Sequence, residues 1–214
     1  MNENTKNNTQ TADSEIAARV NPILEHLKVE GTEIDLNVFR KKFIEIWKFE
    51  EAGKLPPEDQ FLTTVAVFIY TAHNAMDDYN IRIDRARESI VAALEGWKKQ
   101  ELDQMVAQER ASEKPFKAFV DNHLPQIDEI YTWKNFFLDH KQADENQWTY
   151  KMKKCWFTEF FIRFGRVDYI ETACMYDQIP WKARKDYVDL KLNNMFRKLG
   201  KICQFNYKPA KPGK

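Results

Sequence analysis

Hydrophobic positions recur every three to four residues through the first two thirds of the chain, then every second residue in the last third. Leu36, Phe39, Phe43, Ile46 and Trp47 form one such stripe, which predicts a helix capped by Asp35 and stopped at Gly53. Pro56-Pro57-Glu58-Asp59 places prolines and acids where a helix start favours them. Phe61, Leu62, Val65, Phe68, Ile69, Ala72 and Met76 then make a wide apolar face, as a central helix requires. After a break near Asn80, Ile83, Ala86, Ile90, Ala93, Leu94, Trp97 and Leu102 extend the rhythm to about Ala111. Upstream, Asp13-Ser14 can cap a helix from Glu15 that Asn21-Pro22 interrupts or restarts and Gly31 ends. Between Pro115 and His140 the rhythm continues but Pro125 interrupts it, predicting two short helices, with Lys141 to Asn146 as a loop.

The period changes at Trp148. Trp148, Tyr150 and Met152 alternate with Thr149, Lys151 and Lys153, the signature of a half-buried strand. Thr158 can cap a helix that Gly165 stops, and Asp168 a second one running to about Tyr176. Val188 to Phe196 and Lys201 to Lys208 are β-rich runs on either side of Arg197-Lys-Leu-Gly200, so they should pair as an antiparallel hairpin. The predicted class is α+β: an N-terminal helical portion, then a small antiparallel sheet with a helical insertion. One domain is expected over residues 13–208, between disordered tails at 1–12 and 209–214.

Composition narrows the function. With 33 basic and 33 acidic residues in 214, no net field favours nucleic acid or an anionic membrane. No apolar run approaches the roughly 20 residues that cross a bilayer. The Asn/Thr/Gln-rich start has no hydrophobic segment of the kind a signal peptide needs. Three cysteines without an export signal imply reduced thiols and a cytoplasmic protein. Glycine is scarce, at six residues, and neither Gly-x-Gly-x-x-Gly nor Gly-x-x-x-x-Gly-Lys occurs. Nothing points to an organic cofactor, and oligomeric state is left open, a homo-oligomer included.

Candidate chemistry concentrates in the last third. The order there is Cys155, a short aromatic helix, Gly165, Cys174-x-x-Asp177, then Gly200-x-x-Cys203-x-Phe205. This order resembles the L-2-amino-thiazoline-4-carboxylic acid hydrolase family over Met152 to Lys208, and more loosely over the helices from Phe39 to Trp97. The resemblance implies a bacterial hydrolase of cysteine metabolism. It would open a small cyclic amidine or thiazoline ring, cleaving a C–N or C–S bond to give a carbamoyl amino acid.

The chemistry of each residue type limits its role. Cys174 and Asp177, three apart at a helix end, share a face. Asp177 could act as acid or base, or hold ligand nitrogens. An adjacent aspartate raises a thiol pKa, so Cys174 reads better as a pocket residue than as a nucleophile. Cys155, just before a helix start and beside Lys153 and Lys154, is the better thiolate candidate. Cys203 shares a strand face with Phe205 and Tyr207, and reads as core or as a pocket wall. The cysteine spacings, 19 and 29 residues, fit no compact metal motif, so no metal site is expected. Arg163 and Arg166 are candidates for a carboxylate clamp, with Lys182 and Arg184 nearby. Surface solvation is the plain alternative for all four. Tyr176, with Trp156 and Trp181, could line a planar-ligand pocket.

His73 and Asp77, four apart on a helix, could hold a metal or form a base–orienter pair, but read better as capping or surface residues. His26, His123 and His140 show no partners in the sequence. Two further readings compete with the hydrolase: a non-catalytic small-ligand-binding or sensor domain, and an interaction protein using its helical half.

Overall fold

The computed structural model describes residues 3–196 and 200–211, with side chains from Thr11 onward. The expected turn at Arg197 to Leu199 and the outermost residues of both expected tails lie outside the described residues. The chain divides into two compact units, Met1–Trp97 and Lys98–Lys214. It is α+β. Nine α-helices run in order among the described residues, with a four-stranded antiparallel sheet in the second unit. None of the described helices is long and apolar enough to cross a membrane.

The first unit contains α1 (Glu3–Leu24), α2 (Leu36–Phe49), α3 (Pro57–Asp78) and the start of α4 (Ile83–Arg110). The α2 cap is the one the pattern predicts: Asp35 Oδ1 accepts from the Asn37 and Val38 amides at 2.8 and 3.2 Å. Phe39, Phe43, Trp47, Leu62, Phe68 and Ile69 fill the core, with Phe39 and Phe68 ring centroids 5.8 Å apart. α3 starts at Pro57, and the break at Asn80 is real, with φ at 55°.

Three local expectations fail. α1 starts at Glu3, upstream of the expected Asp13-Ser14 cap, and runs through Pro22, which sits in its last turn. α2 stops at Phe49 rather than Gly53. Glu51 in the left-handed region, φ 50°, turns the chain into a 3-10 turn at Ala52–Lys54.

The second unit is built around the sheet. Two helices lie between Pro115 and His140, as expected, but the break is not at Pro125: α5 (Pro115–Ile130) runs through it, and α6 (Trp133–Phe136) is a single turn. β1 (Leu138–Ala143) replaces part of the expected loop. β2 (Trp148–Met152) follows, then the helical insertion α7 (Trp156–Arg163), α8 (Ile170–Tyr176) and α9 (Ile179–Lys182), then β3 (Val188–Asn193) and β4 (Cys203–Pro209). The strand order is β1-β2-β4-β3. The hairpin expected between β3 and β4 is present, and α7 ends in a glycine stop at Gly165, φ 69°. There the Gly165 amide donates to Ile162 O at 2.9 Å and the Arg166 amide to Phe161 O at 2.8 Å.

Register puts one aromatic layer on one sheet face. Trp148 pairs with Tyr207, Tyr150 with Phe205 and Met152 with Cys203, and directly opposed residues share a face. All six are buried. Phe119 of α5 packs onto this layer, 5.6 Å from Trp148 and 5.4 Å from Tyr207.

Arg184, expected at the surface, is fully buried. Its Nε and Nη2 donate to Glu109 at 2.6 and 2.7 Å, and its Nη1 donates to Pro180 O at 2.7 Å. Tyr187 Oη adds a 2.6 Å bond to Glu109. The bidentate geometry and the extra donor offset the cost of removing both charges from water. This pair closes a 75-residue loop in the second unit.

Arg184→Met leaves the Glu109 carboxylate buried without its partner and should destabilise the protein by about 3–5 kcal/mol. Adding Glu109→Gln to that variant should recover part of the loss, as urea denaturation of the single and double variants would measure.

Candidate functional site

Two helix ends in the second unit meet at one carboxyl group. Asp177 is the C-terminal cap residue of α8, and its amide donates to Ala173 O at 3.0 Å. Tyr131, the C-cap residue of α5, reaches it across 46 residues: Tyr131 Oη donates to Asp177 Oδ1 at 2.5 Å. Among the described residues this is the only side chain hydrogen-bonded to the carboxyl, and no basic side chain is paired with it. Asp177 is half-buried and Tyr131 is buried.

The surroundings are aromatic. Tyr131 and Phe136 have centroids 4.6 Å apart, Phe136 and Phe157 6.2 Å, and Phe157 and Tyr176 6.4 Å. In this shell burial pushes the Asp177 pKa up to about 7, against the opposing pull of the Tyr131 hydroxyl. The carboxyl is felt in turn by Tyr131, Tyr150, Tyr176 and Tyr207, each raised above the ordinary tyrosine value first by burial.

The sequence candidates separate. Cys155 belongs to the cluster and is the N-cap residue of α7. Burial nevertheless outweighs the helix end: the thiol is pushed up to about 12, with Thr158 pulling it down and the Asp177 charge pushing it further up. Cys203 is buried on β4, as its alternation with Phe205 and Tyr207 requires, and its sulfur accepts from the Phe196 amide at 3.4 Å. Tyr176 lines the cluster. Cys174 is half-buried on α8, and its carbonyl accepts from Gln178 Nε2 at 2.7 Å.

The two clamp candidates are engaged away from the carboxyl. Arg166 holds Asp168 in a fork at 3.2 and 3.0 Å and lies 3.8 Å over the Tyr169 ring. Arg163 is exposed beside Phe160 and Phe164, at 5.4 and 5.5 Å. Trp181 donates to Val188 O at 3.0 Å.

Sequence reasoning missed Tyr131 as the partner of Asp177, and it left three histidines without partners. His140 Nε2 lies 2.7 Å from Asp128 Oδ1, and its Nδ1 accepts from Trp148 Nε1 at 3.3 Å. His123 is buried 5.4 Å from Phe119, with Nδ1 3.3 Å from Gln126. Burial and then the Arg184 charge lower its pKa to about 4. His26 lies so close to Gly96 that a Cβ there would come within 2.7 Å of its ring. His73 is buried in α3 while Asp77 is exposed. No group of three or more potential metal ligands occurs among the described residues. An open crevice in the first unit, bordered by Leu27, Asp35 and Arg40, holds its arginine against Asn21 at 2.8 Å.

No known family model matches the sequence. No curated protein matches it either. Among solved structures, the Fe(II) unliganded H-NOX protein from K. algicida aligns with 84% of this chain and 94% of its own, at 10% identity and a TM-score of 0.36. The SO2144 H-NOX domain from Shewanella oneidensis, in the Fe(II)CO state, aligns with 78% and 89%, at 9% identity and a TM-score of 0.35. Alignments this loose do not establish a shared fold.

The resemblance to the aminothiazoline-carboxylate hydrolases is corrected by these findings. No family model matches the chain, that family's included, and no curated protein does. The implied ring-opening chemistry and link to cysteine metabolism go with it. The motifs behind the resemblance have plainer origins. Cys174-x-x-Asp177 is a helix end with its cap residue, and Cys203-x-Phe205 is a buried strand face.

Two outcomes follow from the electrostatics. In the unfolded chain Asp177 releases its proton near pH 4, whereas in the fold it holds it to about pH 7. Stability is therefore lost as pH rises between those values, by an amount on the order of 3–4 kcal/mol when the shift is fully expressed. Asp177→Asn keeps an acceptor for Tyr131 and removes the charge. It should be more stable than the wild type at pH 8 and not at pH 4, as thermal denaturation across that range would show. Separately, Cys155 should resist iodoacetamide at pH 8 in the native protein. Its thiolate fraction there is lower by roughly a thousandfold than that of a free cysteine, and peptide mass spectrometry would report the labelling.

Proposed function

We propose that the second unit is a non-catalytic binding module for a small ligand, a sensor domain with Asp177 at its centre. The observation that carries this reading is a half-buried carboxyl with one hydrogen-bond donor, Tyr131, and no cation, in an aromatic shell. A fold gains no stability from such a group. Burying it without a charge partner costs free energy, and carboxyls whose pKa is shifted by burial are enriched at functional sites.

Two features weigh against the catalytic roles considered for these residues. The Cys155 thiol is held far from its thiolate form, and the Arg166 fork is occupied by Asp168. With a pKa of about 7, Asp177 changes charge in the neutral range. A ligand that prefers one protonation state would then be bound with uptake or release of a proton, and ligand and pH would be read by the same group.

A fragment library screened by ligand-detected NMR would test this. Binders should lose at least tenfold in affinity in Asp177→Asn and less in Tyr131→Phe, and none should be chemically converted. Binders that ignore both substitutions, or turnover abolished by Asp177→Asn, would overturn the reading.

A further inference from the structure

In the first unit α1 ends at Leu24, and the link to α2 turns at Gly31, whose φ of 75° lies in the left-handed region. A bridge between Val29 and Thr32 closes the turn. Between this turn and the start of α2 lies an open crevice of about 950 Å³. A second groove, of about 490 Å³, runs between α1 and α2 from Asp13 to Lys48. Asn37 and Arg40 border both, so Arg40 stands where the two meet.

Arg40 is half-buried, and its guanidinium is held from one side. Its Nε donates to Asn21 Oδ1 at 2.8 Å and its Nη1 to Asn37 Oδ1 at 3.3 Å. Both acceptors are neutral amides, so they fix the group without balancing its permanent charge. Among the described residues no carboxylate pairs with it, and Nη2 has no protein acceptor.

The other charges along the two grooves sort by partner. Asp13 is paired with Lys48, Glu45 with Lys42 at 3.9 Å, and Asp35 Oδ1 accepts from two α2 amides. No acid is paired with Lys28 or Lys41 among the described residues, and Glu33, which is exposed, is the remaining acid. Three cations, one of them fixed in place, therefore face one mobile carboxylate. The wall beside them is apolar: Leu27 is buried, and Val29, Ile34 and Leu36 are half-buried along the larger crevice.

We propose that this crevice is a second binding site, independent of Asp177, for an organic oxyanion: a carboxylate or phosphate group on a short apolar body. The oxyanion accepts from the free edge of the Arg40 guanidinium, whose planar fork matches carboxylate and phosphate oxygens. The apolar body lies against Val29, Ile34 and Leu36. The crevice has the volume of a small-ligand cleft, and Lys28 and Lys41 add an attractive field on either side of the head group.

The test is an NMR titration of the full chain with hexanoate, hexyl phosphate, hexan-1-ol and hexylammonium, four probes with one body and different head groups. Hexanoate or hexyl phosphate should bind, the tighter of the two identifying the head group, with amide shifts centred on Gly31, Thr32 and Asn37. Added salt should weaken the binding. Arg40→Gln should weaken it roughly tenfold or more, and Arg40→Lys, which keeps the charge but loses the fork, by less. Ile34→Glu leaves Arg40 in place and sets a carboxylate in the apolar wall, so it too should prevent binding. The amide spectrum of each variant reports whether it is folded. Hexan-1-ol or hexylammonium binding there as tightly as the anions would overturn the proposal. So would affinity for the anions that survives both Arg40→Gln and Ile34→Glu, or no binding of either anion to the wild type.

Discussion

The aromatic layer on one face of the sheet, Trp148, Tyr150, Phe205 and Tyr207 with Phe119 laid over it, removes water from the polar groups packed beside it. Each such group must find a partner inside the protein or shift its protonation state. Arg184 and Glu109 do the first, with three protein donors converging on one carboxylate. His123 does the second and stays neutral, its pKa lowered by burial and by the Arg184 charge. Asp177 falls between: one short bond from Tyr131, no counter-charge, and a pKa drawn up towards neutrality. The same desolvation thus produces a structural ion pair at one place and an unsatisfied acid at another.

That difference separates structure from function in this unit. A satisfied buried pair fixes the path of the chain between α4 and the segment ahead of β3. An unsatisfied one keeps free energy available for something that arrives from solution. Cys203 is a buried strand residue, and at Cys155 the helix end is too weak to reverse the effect of burial on the thiol.

Much of this architecture is legible in local pattern. The two-residue period at Trp148-Tyr150-Met152 identifies β2, and the same period at Cys203-Phe205-Tyr207 identifies β4, because a strand buried against helices must alternate. Asp35, Pro57 and Gly165 mark helix ends through backbone chemistry that acts over three or four residues. β1 escapes notice because Leu138-Asp-His-Lys-Gln-Ala143 is an edge strand with a largely exposed, polar pattern. Pro125 misleads because a helix packed through Phe119, Val120 and Ile127 can absorb a lost hydrogen bond. Asp177 was visible as a chemical residue, but through its spacing from Cys174. Its actual partner is 46 residues away, as Glu109 is 75 residues from Arg184. Pairings of that range are set by tertiary packing and leave no mark on periodicity.

The proposed site depends on Asp177 being an acid of near-neutral pKa in the folded protein. Selective carbon-13 labelling of aspartate, with the Asp177 carboxyl signal assigned through its loss in Asp177→Asn and followed from pH 4 to pH 9, measures this directly. A midpoint near pH 7, moving higher in Tyr131→Phe, is the expected result. A midpoint near pH 4, the value of an ordinary solvated aspartate, would mean that the carboxyl is not desolvated. The proposed ligand site would then lose its physical basis.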